Sequence, residues 1–224
     1  NCELGHCASN AITNTQGQLT IRNCFIHDNA GQGLTLSGAV DGSLIEDNIF
    51  ANNTGDDIND ARTPTTLTPM SMHIRNNVFY NSSGDGYECT VTSAQTSLHQ
   101  AVIENNIFSE ITGSGINLSG TGGTDIQCAA HGARIRNNCF FNCGAKYSGM
   151  TILSSINEST ADPQFANAGG NDFSIGTNLK ALGYPSGNVG VGSSTPSYVD
   201  IGIQRQEAGG SGGVAVPTQS HGHE

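Results

Sequence analysis

The sequence predicts an all-β solenoid, in which short strands wind into stacked coils, and three observations point to it. The chain of 224 residues holds 30 Gly and 23 Asn, the residues that most readily adopt left-handed turns. No segment shows the apolar period of an amphipathic helix. Five segments align without gaps, at intervals of 24 to 32 residues. A unit of that length cannot bury its own apolar side chains, so the units must stack.

The aligned segments follow variants of the motif Ile-x-Asn-Asn-x-Phe. They are Leu19–Gly33, Ser43–Asp57, Met72–Gly86, Ala101–Gly115 and Ala133–Tyr147. The motif places three apolar residues of each segment in columns, which we expect to form stacks in the core. The columns are Ile21, Ile45, Ile74, Ile103 and Ile135; Phe25, Ile49, Val78, Ile107 and Cys139; and Ile26, Phe50, Phe79, Phe108 and Phe140.

Two polar columns predict the register of the coils. The first holds Asn48, Asn77, Asn106 and Asn138, with Cys24 in the first copy. An Asn at this position can bond its own turn and the Asn of the next coil, so we expect a ladder. The second column alternates in charge and consists of Arg22, Glu46, Arg75, Glu104 and Arg136. Coils stacked in register would place each charge against opposite charges.

The repeated motif resembles that of the right-handed parallel β-helix family, the pectin-lyase-like superfamily, over roughly residues 10 to 156. The resemblance implies an all-β, right-handed parallel β-helix of about five full coils with a C-terminal cap and extension. The same solenoid carries polysaccharide lyases and hydrolases, phage tailspikes, and adhesins without activity. It therefore implies a fold, and a location outside the cell, on a cell surface or on a virion, rather than one function.

The repeats divide the chain into four parts. These are a partial N-terminal coil (1–18), the β-helix repeats (19–156), a cap or wrapping segment (157–207) and a Gly-rich tail (208–224). The segments Ala161–Phe165 and Asp200–Glu207 resemble the terminal segment of β-helix proteins from phages and environmental bacteria. Because an uncapped coil exposes an unpaired strand edge, we expect other protein subunits to contact the open N-terminal coil and the C-terminal tail.

Composition excludes two classes of partner. The chain has 8 Lys and Arg against 19 Asp and Glu, a formal net charge of -11, which repels phosphates and anionic bilayers. No apolar run approaches the length of a membrane span. We therefore expect neither nucleic acid binding nor membrane insertion. The seven Cys lack zinc-type spacing, which leaves buried thiols with room for one disulfide.

An acidic cluster is the strongest candidate for chemistry. The alignment makes Asp56 and Asp85 neighbours on adjacent coils, with Asp57 beside them. Carboxylates about 5 Å apart suit retaining glycoside hydrolysis, so these three are the catalytic candidates. Asp56, Asp85 and Glu88 would equally suit a calcium ion, the one cofactor we expect if there is any. Asp beside Gly also commonly forms a solvated turn, which is the third interpretation.

Three neighbouring residues are candidates for ligand binding. The chain has no Trp, so Tyr87, between Asp85 and Glu88, is the candidate platform for a sugar ring. Glu88 and Asn59 occupy one column beside the acidic cluster and would supply hydrogen bonds. The histidines fall in different columns, which predicts no catalytic triad and no metal set; they include His6, His27, His73, His99 and His131.

The segment Gly55-Asp56-Asp57 resembles the Gly-Asp-Asp step of polygalacturonase-like hydrolases, but the rest of that pattern departs. The chain has Gln32 where the partner Asp is expected, and His131 lies two or more coils away. We therefore expect a structural or adhesive protein of a virion or cell surface that binds a glycan and joins a larger assembly. The alternative is a polysaccharide hydrolase or lyase acting on a chain laid across the coils, and enzymatic activity stays open.

Overall fold

The computed structural model describes residues 2–38, 42–62, 70–91, 99–120, 134–149 and 155–179. In these ranges the chain forms three six-stranded sheets in which every pair of neighbouring strands is parallel. None of the helical segments in these ranges has the length and apolar character needed to span a bilayer. The predicted tail, residues 208–224, lies outside the described ranges, as do residues 180–207.

The strands follow one another in a fixed order, one from each sheet per coil. Sheet A contains β1 (Cys2–Gly5), β4 (Cys24–His27), β7 (Ile49–Ala51), β10 (Val78–Tyr80), β13 (Ile107–Ser109) and β16 (Cys139–Phe141). Sheet B contains β2 (Ile12–Asn14), β5 (Leu34–Gly38), β8 (Ile58–Arg62), β11 (Tyr87–Val91), β14 (Ser114–Gly120) and β17 (Ala145–Ser148). Sheet C contains β3 (Thr20–Arg22), β6 (Ser43–Glu46), β9 (Met70–Arg75), β12 (His99–Glu104), β15 (Arg134–Arg136) and β18 (Ser155–Ile156).

Six strands per sheet make six coils, one more than the five aligned segments. The added coil is the first, because Cys2–Gly5 pairs in register with Cys24–His27 although it lacks the repeated motif. A disulfide joins Cys2 to Cys24, whose Cα atoms lie 4.6 Å apart. Residues 2–18 therefore add one strand each to sheets A and B, whereas the first strand of sheet C, β3, belongs to the first aligned segment.

The coils turn at two corners where non-Gly residues adopt left-handed backbone. At the first corner, between sheets C and A, these residues are Asn23, Asp47, Asn76, Asn105 and Asn137. At the second corner, between sheets A and B, they are His6, Asp28, Asn52, Asn81, Glu110 and Asn142. Asn and Asp tolerate this conformation better than other side chains with a Cβ, which explains their abundance in the chain.

The predicted Asn ladder is present and fully buried. The side-chain Oδ1 of Asn77 accepts the backbone N–H of Asn48 at 3.0 Å, and Asn106 does the same for Asn77. The Nδ2 of Asn77 donates to the carbonyl of Ile45 at 2.9 Å and to Oδ1 of Asn106 at 3.0 Å. At the N-terminal end the backbone N–H of Cys24 donates to Asn48. The disulfide then takes the place of the ladder between the first two coils.

Two of the three apolar columns fill the interior of the coils. The column that begins at Ile21 packs against the column that contains the Phe rings. The rings of Phe50, Phe79, Phe108 and Phe140 stack with centroids 4.7 to 5.2 Å apart. Burial of these rings and of the Ile side chains provides the main favourable term for folding.

The third column does not lie in the interior, which corrects the expectation that all three are core stacks. Ile49 precedes Phe50 in β7, and successive residues of a strand point to opposite faces. Ile49, Val78 and Ile107 therefore lie on the outer face of sheet A, in a second apolar cluster. Residues 159–179, with Phe173 and Leu179, cover this face in an irregular path that includes two short 3-10 turns, Ala168–Gly170 and Thr177–Leu179.

The alternating charges stand in register on sheet C, as predicted. Arg22 and Glu46 are partners across β3 and β6, and Glu46 is the partner of Arg75 across β6 and β9. Glu46 forms ion pairs with both arginines, and its Oε2 lies 2.6 Å from Nε of Arg75. Arg136 pairs with Glu104 at 2.7 Å. Each half-exposed ion pair adds under about 1 kcal/mol to the free energy of unfolding. The pairs are therefore evidence for the register of the coils more than a major source of stability.

The Asn ladder yields a first prediction. Replacing Asn77 by Ala should lower the free energy of unfolding by about 3 kcal/mol, because the buried Ile45 carbonyl and Asn48 N–H lose their partners. Urea denaturation measures the change. Asn178→Ala is the control, since Asn178 is exposed and donates one hydrogen bond. An equal loss in both variants would contradict a structural role for the ladder.

Candidate functional site

Asp56 and Asp85 lie at the start of sheet B on adjacent coils, and both carboxylates are engaged by the fold. Oδ1 of Asp56 accepts the backbone N–H of Asp85 at 2.8 Å. Oδ1 of Asp85 accepts the backbone N–H of Ser114 at 2.5 Å. Each Asp thus caps the equivalent residue of the next coil. This arrangement corresponds to the turn-forming interpretation of the acidic cluster.

The remaining oxygens of this cluster also accept hydrogen bonds. Nδ2 of Asn59 donates to Oδ2 of Asp56 at 3.0 Å and to Oε2 of Glu88 at 2.6 Å. Oδ2 of Asp85 accepts from Asn117 at 2.8 Å, and Oε1 of Glu88 accepts from Thr90 at 3.2 Å. A calcium ion would have to compete with these donors for every carboxylate oxygen. Calcium binding by Asp56, Asp85 and Glu88 stays a prediction.

Glu88 is the surface carboxyl of this cluster whose pKa is raised. Partial burial raises the pKa of its carboxyl to about 7, with further upward contributions from a hydrogen bond to Asp56 and from the negative charge of Asp56. Asp85 adds to the same effect. Near neutral pH about half of the Glu88 carboxyl groups are therefore protonated.

Asp57 cannot act on a polysaccharide at the surface, which corrects its assignment as a catalytic candidate. Its side chain is fully buried inside the coil, at a position that Gly33, Gly86 and Gly115 occupy in three other coils. Oδ1 accepts hydrogen bonds from Asn53 at 2.8 Å and from Ser82 at 2.5 Å. Oδ2 has no hydrogen-bond partner, and burial raises the pKa of the carboxyl to about 7.

Tyr87 cannot stack on a sugar ring, which corrects the second assignment. Its side chain is 1% exposed and belongs to the interior cluster. Its hydroxyl donates to Oδ2 of Asp60, also buried, at 3.1 Å. Strand alternation explains the difference: Tyr87 points inward, so the adjacent Glu88 points outward.

The outer face of sheet B presents a continuous polar row instead. The row consists of Thr13, Thr35, Asn59, Glu88, Asn117 and Ser148, which are register partners in successive coils. Its members are half-buried or exposed. Their spacing is the distance between neighbouring strands, about 4.8 Å. Two predicted ligand-binding residues, Asn59 and Glu88, are members of this polar row.

Two histidines that the sequence assigned to different columns lie side by side, which corrects the prediction of no metal set. His6, His27 and Asp28 bring one nitrogen or oxygen each to within 4.8 Å of one another, the only such group of three among the described residues. His6 and Asp28 occupy the second corner on adjacent coils. The signal that would have revealed this was the alignment of Cys2 with Cys24, which sets His6 against Asp28. His131 lies outside the described ranges.

Comparison with known proteins gives one family. A family model described as a right-handed beta helix region matches residues 1–140, more than half of the chain. No curated protein matches the sequence. The match ends within β16, before residues 157–179, so the resemblance of that segment to phage proteins stays a prediction.

The environment of Asp57 yields a second prediction. A carboxyl with a pKa of about 7 in the folded state and near 3.8 when unfolded binds more protons in the folded protein, so stability falls as the pH rises from about 4 to about 7. Asp57→Asn should match the wild type near pH 4 and exceed it above pH 7, by up to about 4 kcal/mol. Urea titrations at several pH values measure this. A difference that does not change with pH would contradict it.

Proposed function

Because this chain belongs to the right-handed β-helix family, we propose that it is a structural or adhesive extracellular protein that binds a glycan along the outer face of sheet B. The polar row carries the proposal. It offers one hydroxyl, amide or carboxyl group per coil at a spacing close to the length of one sugar unit. Such groups donate and accept the hydrogen bonds that sugar hydroxyls require.

The hydrogen bonds of Asp56 and Asp85 support a structural rather than a catalytic role. Both carboxylates hold backbone N–H groups of the next coil, and moving either one to react would leave these groups unpaired. Asp57 and Tyr87, the other expected parts of an active site, point inward. In a structural solenoid, Asp56 and Asp85 hold adjacent coils together, and Asp57 and Tyr87 belong to the interior.

The charge of the protein favours a neutral glycan. The formal net charge is -11, and Glu88, Asp56 and Asp85 lie on or beside the polar row. These charges repel uronates unless a cation such as calcium bridges the two. We therefore expect binding of neutral polysaccharides without calcium, and of uronates only with it.

The disulfide between Cys2 and Cys24 supports a location outside the cytoplasm. Disulfides persist in oxidising compartments, which include the extracellular space, the periplasm and virion surfaces. The strands β1, β2 and β3 end the three sheets of the described structure. Contact with another subunit at these strands, or at the tail, remains part of the proposal.

The second candidate function is polysaccharide hydrolysis or lysis, and one observation favours it. Glu88 is half-buried and carries a carboxyl with a pKa of about 7, next to Asp56 and Asp85. A carboxyl that can donate a proton, placed beside a second carboxyl group, is the arrangement that glycoside hydrolases use. In this alternative Glu88 would be the acid, acting on a chain laid across the coils.

Glycan binding yields a third prediction. Affinity electrophoresis in gels with dextran, xyloglucan or galactomannan should retard the wild type, and alginate or polygalacturonate should do so only with calcium. Asn59→Ala/Asn117→Ala should weaken binding about tenfold, because each amide contributes roughly one hydrogen bond. His73→Ala, on exposed His73 in sheet C, should bind like the wild type.

Product assays on the same polysaccharides separate the two functions. Reducing ends and unsaturated uronates should not appear with the wild type. Their release, together with its loss in Glu88→Gln, would establish the enzyme and overturn the structural proposal. No retardation by any polysaccharide would refute glycan binding.

A further inference from the structure

We propose that His6, His27 and Asp28 form a binding site for a divalent transition metal, with Zn²⁺ as the probe. The three side chains come from the first two coils, and their donor atoms lie within 4.8 Å of one another. Two imidazoles and one carboxylate are a donor set that suits zinc, nickel or copper, whereas calcium and magnesium prefer oxygen ligands alone. The site is separate from the polar row.

The ring of His27 is held in place before any metal arrives. Its side chain is 6% exposed and stacks on Phe25, with ring centroids 4.0 Å apart. The backbone opposite is Gly5, and a Cβ there would lie 2.7 Å from Cε1 of His27. Glycine at this position therefore makes room for the imidazole. The site loses little conformational entropy on binding, because the central ligand is already fixed.

The two ring nitrogens of His27 lie next to different carboxylates, so one can bind the metal while the other donates a hydrogen bond. Nδ1 lies 2.6 Å from Oδ2 of Asp28, whereas Nε2 lies 3.1 Å from Oε1 of Glu3. Metal-bound histidines commonly donate the N–H of their other nitrogen to a carboxylate, which fixes the tautomer and raises the basicity of the ligand. Glu3 would be this positioning residue, so that Nδ1 is the nitrogen directed toward the metal.

His6 completes the set because the coils repeat. It stands at the second corner one coil before Asp28, and its ring meets that of His27 edge-on with centroids 5.5 Å apart. His6 has a φ of 59°, the left-handed conformation that Asn52 and Asn81 adopt at the same corner. Only this pair of coils brings an imidazole and a carboxylate together at the second corner within the described ranges.

The site opens to solvent, so a metal would keep a free position. His6 and Asp28 are exposed, and both line a cleft of about 430 Å³ with Ala8 and Thr54. Three protein ligands leave the fourth tetrahedral position of zinc for water. Glu3 and Asp28 add negative charge that attracts a cation. A bound metal would join the first coil to the second, next to the disulfide.

The test is calorimetric titration of the full chain with Zn²⁺, with the disulfide intact. His221 and His223 lie outside the described residues and could bind zinc themselves, so both are replaced by Ala in every variant. We expect one Zn²⁺ per chain, a tetrahedral absorption spectrum when Co²⁺ is used instead, and a melting temperature that rises with metal. Excess Ca²⁺ should not displace the metal.

Substitutions identify the ligands. His6→Asn and Asp28→Asn should each weaken binding at least about 100-fold while the protein stays folded, since Asn occupies this corner in other coils. Glu3→Gln should weaken it roughly tenfold, as expected for a residue that positions a ligand. His73→Ala and Cys7→Ser are the controls and should bind normally. Absence of saturable binding, or binding that survives both His6→Asn and Asp28→Asn, would overturn the proposal.

Discussion

The buried ladder of amide side chains fixes the register on which every other feature of this solenoid depends. Many of its strands have only three or four residues, and backbone pairing alone would tolerate a slip. A slip of one residue would turn each strand over and move its inner side chains outward. In the ladder each Asn both accepts an N–H and donates to a carbonyl in a neighbouring coil, so a slip would leave buried groups unpaired. The Phe stack, the ion pairs and the polar row follow from that register.

Much of the fold could be predicted because the sequence repeat determines which residues of successive coils are register partners. The Asn column, the alternating charges and the Ile column each recur once per coil, so aligning the copies is equivalent to stacking them. The direction of the Ile49 column could not be obtained in this way. Ile49 and Phe50 are both apolar, and the contact of Ile49 with the covering segment shows which of the two faces outward.

The candidate site was harder to predict because it depends on which face of a strand a residue occupies. Tyr87 and Glu88 are adjacent in sequence, yet one is in the core and the other on the surface. Asp57 occupies a position that is Gly in three other coils, so the repeat did not show that its side chain is buried. The first coil lacks the Ile-x-Asn-Asn motif, so nothing in the repeat aligned His6 with Asp28; the pairing of Cys2 with Cys24 supplies that alignment.

The three outer faces differ in what they leave available for a ligand. Sheet A carries apolar side chains, and residues 159–179 cover them. On sheet C the arginine and glutamate side chains satisfy one another. Sheet B keeps a row of polar groups at a constant interval, which matches an extended, repeating ligand. A compact ligand such as an ion contacts only two coils, so its site requires side chains that differ from those of the other coils. His6 and His27 are such side chains, at the N-terminal end of the described solenoid.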